Sequence, residues 1–477
     1  MLFNSFNFGL FLPIVLFLYW VIGYQKIKYQ NLLLLVASYF FYGLWDWRFL
    51  FLILISSLID YYTGIEIEKY STKSRKKIFL FFSLFWNLGI LFVFKYYNFF
   101  IKEFTTLFGL DNSDYAFSSL NIILPVGLSF YTFQTLSYSL DVYKGRIKAT
   151  HNLLNFLCFV SFFPQLVAGP IERAGNLLPQ FSKQRSLDID NFKDGLRLIL
   201  WGLFKKMVVA DNVAIAVNAI YASPEDHGSL TLFYASALFF FQIYCDFSGY
   251  SDIAIGSAKL FGFKLSTNFK IPYISRSTSE FWQRWHITLT KWFTEYVYVP
   301  IIRKHKRNYF YKTFALFVSM ALIGLWHGAN WTFIFFGIYQ AIIISFERIP
   351  FKLKGKNVSV NYFLNKMPLG FAMLYSFILI TSSCIFFRAD SLSSAFQIIK
   401  KIASFTPSEH FSLVIGIKIL VIPFLVVLEY FTRSKNHPFE GLEKIVNKPL
   451  RWAIYYIFII TIIRYAGPAE QFIYFQF

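Results

Sequence analysis

Apolar runs of roughly 15–25 residues follow one another along the whole chain, the length needed to cross about 30 Å of hydrocarbon. They lie near 8–24, 31–45, 48–65, 78–97, 121–140, 153–169, 195–221, 230–247, 313–326, 330–347, 369–387, 412–430 and 451–464. The longest polar stretches between them are only about 172–194, 264–280, 303–312 and 352–366. This pattern predicts an all-α, polytopic membrane protein with about eleven transmembrane helices. Re-entrant or interfacial helices are expected where Pro125, Pro164 or Gly202 interrupts a run. No internal repeat or low-complexity segment stands out, so a single membrane domain over 1–477 is expected. The first run has no basic flank and no small-residue cleavage site, so it does not read as a cleaved signal peptide.

Composition strengthens this reading. Hydrophobic residues make up 56% of the 477 residues and charged residues 15%, against about 45–50% and about 25% in ordinary globular chains. The mean hydropathy is +0.49. Such a chain cannot cover its own surface with polar groups, which excludes a soluble enzyme, a disordered tail protein and a disulfide scaffold. Aromatic residues reach 22%, as suits long interfacial belts. The formal charge of +20 would suggest nucleic acid in a soluble protein. Here the basic residues fall in short loops between apolar runs, so membrane lipid is the expected partner and nucleic acid is not. Cys158, Cys245 and Cys384 sit in apolar stretches with no CxxC spacing, so neither a disulfide framework nor a thiolate metal site is expected.

Loop charges orient the first half. Lys26 and Lys28 follow the first run, Lys69, Lys73, Arg75, Lys76 and Lys77 the third, and Lys144, Arg146 and Lys148 the fifth. The loops between them are mixed or acidic: Asp46 and Arg48, then Lys102, Glu103, Asp111 and Asp114. The positive-inside rule places the basic loops in the cytoplasm and the N-terminus outside.

Two histidines carry the candidate chemistry. The segment from Ser277 to Pro300 reads as one amphipathic interfacial helix, with capping-box spacing at Ser277 and Glu280 and a stop at Pro300. Trp282, Trp285, Leu289, Trp292, Phe293 and Tyr296 fall on one arc, and His286 lies near its centre. Gln283, Arg284, Thr288, Thr290, Lys291, Thr294 and Glu295 fall on the other. His286 therefore points inward, either as a packed histidine bonded to a carbonyl or as a functional group. His327 interrupts about 25 residues without formal charge, where an ionisable group is costly unless it faces protein or a water-filled cavity. Gly324 and Gly328 bracket it and allow close backbone approach or a helix break. Trp326, Asn330 and Trp331 add a hydrogen-bonding and stacking shell; a structural histidine bridging two helices is the competing reading. The sequon Asn330-Trp331-Thr332 lies in an apolar run and is discounted. His151, His227, His305, His410 and His437 lie in loops or at run ends.

Two imidazoles without a neighbouring carboxylate suit proton transfer better than metal binding, and no third His or Cys sits at ligand spacing, so no metal is expected. No G-x-S-x-G elbow, P-loop or G-x-G-x-x-G is present. Asp246 and Asp252 lie in YCDFSGYSD, read as either a polar wall of a tunnel or a hydrogen-bonding device holding a turn at Gly249. Lys205 and Lys206 are expected to snorkel to the interface, with coenzyme phosphate as the alternative. Arg303, Lys304, Lys306 and Arg307 read as a headgroup-binding run.

Together these segments resemble the membrane-bound O-acyltransferase family. The branch they look most like is the alginate O-acetyltransferase type of polysaccharide acetylation. The resemblance rests on LPVGLSFYTFQTLSYSLDVYKG (124–145), FFPQLVAGPIERA (162–174), QIYCDFSGYSDIAIGSAKLFGF (242–263), SEFWQRWHITLTKWFTEYVYVPI (279–301), GLWHGANWTFIFFG (324–337), FFRAD (386–390) and FIYFQF (472–477). It implies helices around a central tunnel, with His327 and His286 as the catalytic pair. Trp326, Asn330, Trp285 and Asp246 are then the candidate substrate-binding residues. It also implies acetyl-coenzyme A as a cytoplasmic acyl donor substrate, with no bound cofactor, and a polysaccharide acceptor outside, reached directly or through a secreted or periplasmic acetyltransferase partner. The location implied is a bacterial inner membrane. Relatives that move D-alanine onto teichoic acids share the two-histidine centre. A proton-coupled transporter and a non-catalytic export scaffold are the readings of other classes. Ile301-Ile302-Arg303 stands where relatives often carry a Gly-containing turn.

Overall fold

The computed structural model describes residues 1–21, 26–109, 120, 123–167, 169–353, 356–407, 420–468 and 470–475. His410, Asp111, Asp114, most of the 412–430 run's first half and the last two residues of FIYFQF lie outside them. The described chain is all-α apart from one antiparallel hairpin, Phe351–Leu353 with Lys356–Val358. Among the described residues five helices are long and apolar enough to cross a membrane: Phe49–Lys69, Lys73–Phe108, Ser229–Leu260, Tyr309–His327 and Leu369–Arg388. The expectation was about eleven. Several other runs form shorter apolar helices, such as Phe6–Val21 and Val421–Phe431, or break in two, as 153–169 does at Phe162 between Leu153–Ser161 and Phe163–Leu166.

The chain divides into two compact units, Met1–Ile199 with Ile253–Ser266, and Leu200–Asp252 with Thr267–Phe477. In the first, the Phe49–Lys69 helix buries its small and polar residues together with Ile53 and Ile67. Ser56, Ser57, Asp60 and Gly64 are buried, while Phe51, Ile55 and Tyr62 are exposed. Without a hydrophobic drive between helices in lipid, close packing and interhelical hydrogen bonds hold such faces together. Asp60 accepts from Ser83, from Asn87 at 2.7 Å and from Ser139 at 2.9 Å. A Cβ on Gly64 would lie 2.6 Å from the Tyr138 ring.

The second unit holds both histidines. Its Tyr309–His327 and Trp331–Arg348 helices form a hairpin with touching backbones. A Cβ on Gly324 would fall 2.1 Å from the Phe333 carbonyl oxygen, and one on Gly337 2.1 Å from that of Met320. Ser229–Leu260 runs unbroken for 32 residues, which corrects the expected turn at Gly249. That glycine instead lets the helix approach the Gly202 carbonyl, 2.7 Å from where its Cβ would stand. Lys205 and Lys206 do not snorkel. They lie in a π-helical turn, Phe204–Ala210, that buries both. Lys205 pairs with Asp252 at 2.6 Å, and Lys206 with Asp246 at 2.7 Å and Asp211 at 2.8 Å. Ion pairing inside the protein outweighs reaching for the interface because each ammonium finds a carboxylate within direct contact.

Candidate active site

The helix expected from Ser277 to Pro300 is broken at its histidine. Thr278–Arg284 and Ile287–Phe293 are separate helices, with Trp285 extended and His286 left-handed at φ 39°, ψ 54°. The polar and apolar arcs survive the break because both halves keep the same face inward. Trp282, Trp285, Leu289, Trp292 and Phe293 are buried, and Gln283, Lys291 and Thr294 exposed. Thr288 is the exception; it is buried and turned inward.

A left-handed non-glycine residue costs about 1–2 kcal/mol, and here Asn268 holds it. The Ile287 N–H donates to the Asn268 carbonyl at 2.9 Å, and the Lys270 N–H to the Arg284 carbonyl at 2.9 Å. The Asn268 side-chain oxygen accepts from the Thr288 N–H at 3.3 Å and the Thr288 hydroxyl at 2.9 Å. That oxygen also lies 3.1 Å from His286 Nδ1. It is an acceptor, so Nδ1 carries the proton and Nε2 keeps the lone pair. Burial pushes the His286 imidazole down to about 3, which keeps the ring neutral.

His327 ends its helix, and Gly328 leaves it in extended geometry. A Cβ on Gly328 would sit 2.2 Å from the Phe333 ring, so a side chain does not fit there. Both histidines pack against one indole. Trp326 is 5.5 Å from His286 and 5.0 Å from His327, ring centre to ring centre. A second aromatic bridge closes the circuit: His327 to Tyr474 at 5.4 Å, Tyr474 to Phe247 at 4.6 Å, and Phe247 to His286 at 4.7 Å. His327 lines a narrow, largely apolar pocket of about 370 Å³ counted with its open side, with Trp285, Phe336, Gln340, Phe387 and Tyr474 among its walls. The Tyr474 hydroxyl is buried without a hydrogen-bond partner among the described residues.

The candidate binding residues have distinct placements. Trp326 and Trp285 are buried at the histidines. Asn330 caps the Trp331–Arg348 helix, accepting from the Thr332 N–H at 3.1 Å and donating to the Asp390 carbonyl at 3.3 Å. Asp246 is absent from the cavity wall. Its carboxylate pairs with Lys206 and accepts the Ile473 N–H at 2.7 Å. It therefore anchors the C-terminal segment that carries Tyr474, with help from Lys206 to the Glu470 carbonyl at 3.0 Å. Asn268 and Tyr474 had no role in the sequence reading, although Tyr474 lies in a quoted motif. Among the described residues no group of three or more His, Cys, Asp or Glu is placed to hold a metal.

His327 on the wall of an apolar cavity and a neutral His286 of fixed tautomer meet on one shared indole. The chain belongs to the membrane-bound O-acyltransferase family, whose profile matches residues 31–389. It is a multi-pass membrane O-acyltransferase. It is similar to a protein described as "Probable alginate O-acetylase AlgI" from Pseudomonas aeruginosa, 36% identical over 94% of this chain and 82% of that one. A peptidoglycan O-acetyltransferase from Helicobacter pylori is 33% identical over 82% of this chain and 77% of its own. A teichoic acid D-alanyltransferase from Bacillus subtilis is 27% identical over 47% and 59%.

Proposed function

We propose that the protein takes an acetyl group from cytoplasmic acetyl-coenzyme A and passes it across the membrane to hydroxyls of an extracellular or periplasmic polysaccharide, directly or through a partner protein. In this reading it lies in a bacterial inner membrane with its N-terminus outside. The observation that supports it best is the meeting of His327 and His286 on one indole beside an apolar cavity. His327 acts as general base, taking the proton of the attacking hydroxyl as its oxygen bonds to the thioester carbonyl carbon. The tetrahedral oxyanion collapses, the carbon–sulfur bond breaks, and the proton passes to the leaving thiolate. A positioned general base supplies about 10²–10⁴ in rate. His286, with Nδ1 tied to Asn268, presents Nε2 and orients the centre. Asn330 is engaged as a helix cap, so the buried Tyr474 hydroxyl is the better candidate to donate toward the oxyanion.

A D-alanyl or other acyl group moved to a cell-wall polymer is the second reading, favoured by the similarity to the teichoic acid enzyme. Purified protein offered acetyl-coenzyme A or a D-alanyl thioester separates the two. Consumption of only the first, lost in His327→Ala, supports acetyl transfer; consumption of only the second refutes it. Histidine-independent solute flux in proteoliposomes would instead support a proton-coupled transporter.

A further inference from the structure

The Trp331–Arg348 helix does more than pack on the helix that carries His327. Its buried face also grips the segment that carries His286, at two points. Gln340 and Glu347 are fully buried and lie two turns, about 10 Å, apart on that helix. Gln340 accepts the Trp282 indole N–H at 3.1 Å and donates to the Ser383 hydroxyl at 2.8 Å. It also lines the pocket of His327, as Trp285 does.

Glu347 works at the start of Thr278–Arg284. One of its oxygens accepts the Thr278 N–H at 2.7 Å and the other the Ser279 N–H at 3.0 Å. The next N–H, that of Glu280, goes to the Ser277 hydroxyl at 3.1 Å. A helix leaves the donors of its first turn without partners of its own, and here each is met from outside. A buried carboxylate is costly unless charge-assisted hydrogen bonds offset it, and the two backbone donors do so.

From these anchors the chain runs into the site. Trp285 is extended and His286 left-handed, so no helical ladder sets their placement. It depends on what holds the chain on either side. Asn268 holds the far side through Ile287 and Thr288. Glu347 and Gln340 hold the near side. The hairpin that ends one arm at His327 therefore also grips the other imidazole's segment with its second arm.

We propose that Glu347 is a positioning residue for acyl transfer, its carboxylate fixing the start of Thr278–Arg284 and through it the stance of His286 on Trp326. This role rests on the reading that His286 orients the catalytic centre.

The test is a double-mutant cycle on full-length protein in nanodiscs, with Glu347→Gln, His286→Asn and the pair. Turnover is followed on whichever of acetyl-coenzyme A and a D-alanyl thioester the wild type consumes. Gln keeps the shape of the side chain but turns an amide against one of the two N–H donors. Alone it should lower kcat about ten- to a hundredfold, as displacing a reacting group by about 1 Å does, with KM for the donor within about twofold. In the His286→Asn background it should lower kcat no further, because the group it positions is gone. A merely structural loss would cut kcat by the same factor in both backgrounds. That result overturns the role, as does an unchanged kcat in Glu347→Gln alone. If Glu347→Gln does not accumulate, Thr278→Pro takes its place under the same criteria. It removes one of the two donors at the first helical position, after an extended Ser277, where proline is tolerated. An unchanged kcat in His286→Asn alone would remove the orienting role of His286 and this one with it. A fall there, with equal losses in both backgrounds, removes only the role of Glu347.

Discussion

His327, at the end of its helix beside Trp326, and His286, left-handed between two short helices, meet on the Trp326 indole in different settings. His327 faces the cavity. His286 is held behind it, left-handed, by Asn268. Replacing His327 with Ala should lower turnover about 10²–10⁴-fold at normal protein levels. Asn268→Leu removes the bond that fixes the His286 tautomer. It should lower kcat roughly tenfold, the worth of a hydrogen bond of about 1–1.5 kcal/mol, with little change in KM; steady-state kinetics on acetyl-coenzyme A check both. His286 also gives a pH signature. Its folded pKa is depressed to about 3 from 6.5, so the stability tied to the neutral ring is whole above about 6.5 and is lost as pH falls from there toward 3. Thermal midpoints should drop through that window with a slope that His286→Asn reduces. His327 stood out in the sequence because an ionisable group in an apolar run is conspicuous, and His286 because it falls near the centre of an aromatic arc. Asn268 did not, because an amide in a polar loop carries no period or spacing that points to its partner. Tyr474 was one aromatic among many.

The helical elements were legible as runs, but their interruptions were not. Amphipathic periodicity passes through His286 because the two short helices keep one face inward, so nothing in the pattern shows a left-handed residue between them. The Ser229–Leu260 helix shows the opposite error: a polar stretch read as a turn continues as helix because its charges meet partners. Asp246 finds Lys206 and Asp252 finds Lys205. Gly324 and Gly328 read correctly as places where backbones meet or a helix ends. Gly324→Ala should force the Tyr309–His327 and Trp331–Arg348 helices apart, costing about 1–3 kcal/mol by overpacking, and activity should fall with it. Gly89→Ala, where nothing stands within 4 Å, should leave stability unchanged or raise it by up to about 1 kcal/mol. Melting curves of the two variants in one detergent make the comparison.

For the molecule as a whole, composition sufficed to read a membrane protein, and the arrangement of helices came only from tertiary structure. Among the described residues five helices are long and apolar enough to span, against about eleven expected from the runs, because several runs fold as shorter or broken helices. The C-terminal segment joins distant parts of the second unit. Gly467 donates to the Met207 carbonyl at 2.9 Å, Ile473 to Asp246, and Tyr474 reaches His327. Deleting residues 471–477 should therefore abolish transfer while the protein still inserts and accumulates, as immunoblots of membranes would show. The loop charges predict that a cysteine at Lys76 is labelled from the cytoplasmic face and not from outside intact cells. The most direct test of the central claim follows radiolabelled acetyl from acetyl-coenzyme A in proteoliposomes holding wild type or His327→Ala. The account predicts that wild type consumes the thioester and delivers the label to a polysaccharide hydroxyl on the opposite side, and that the variant does neither. Equal consumption and delivery by both proteins would contradict it.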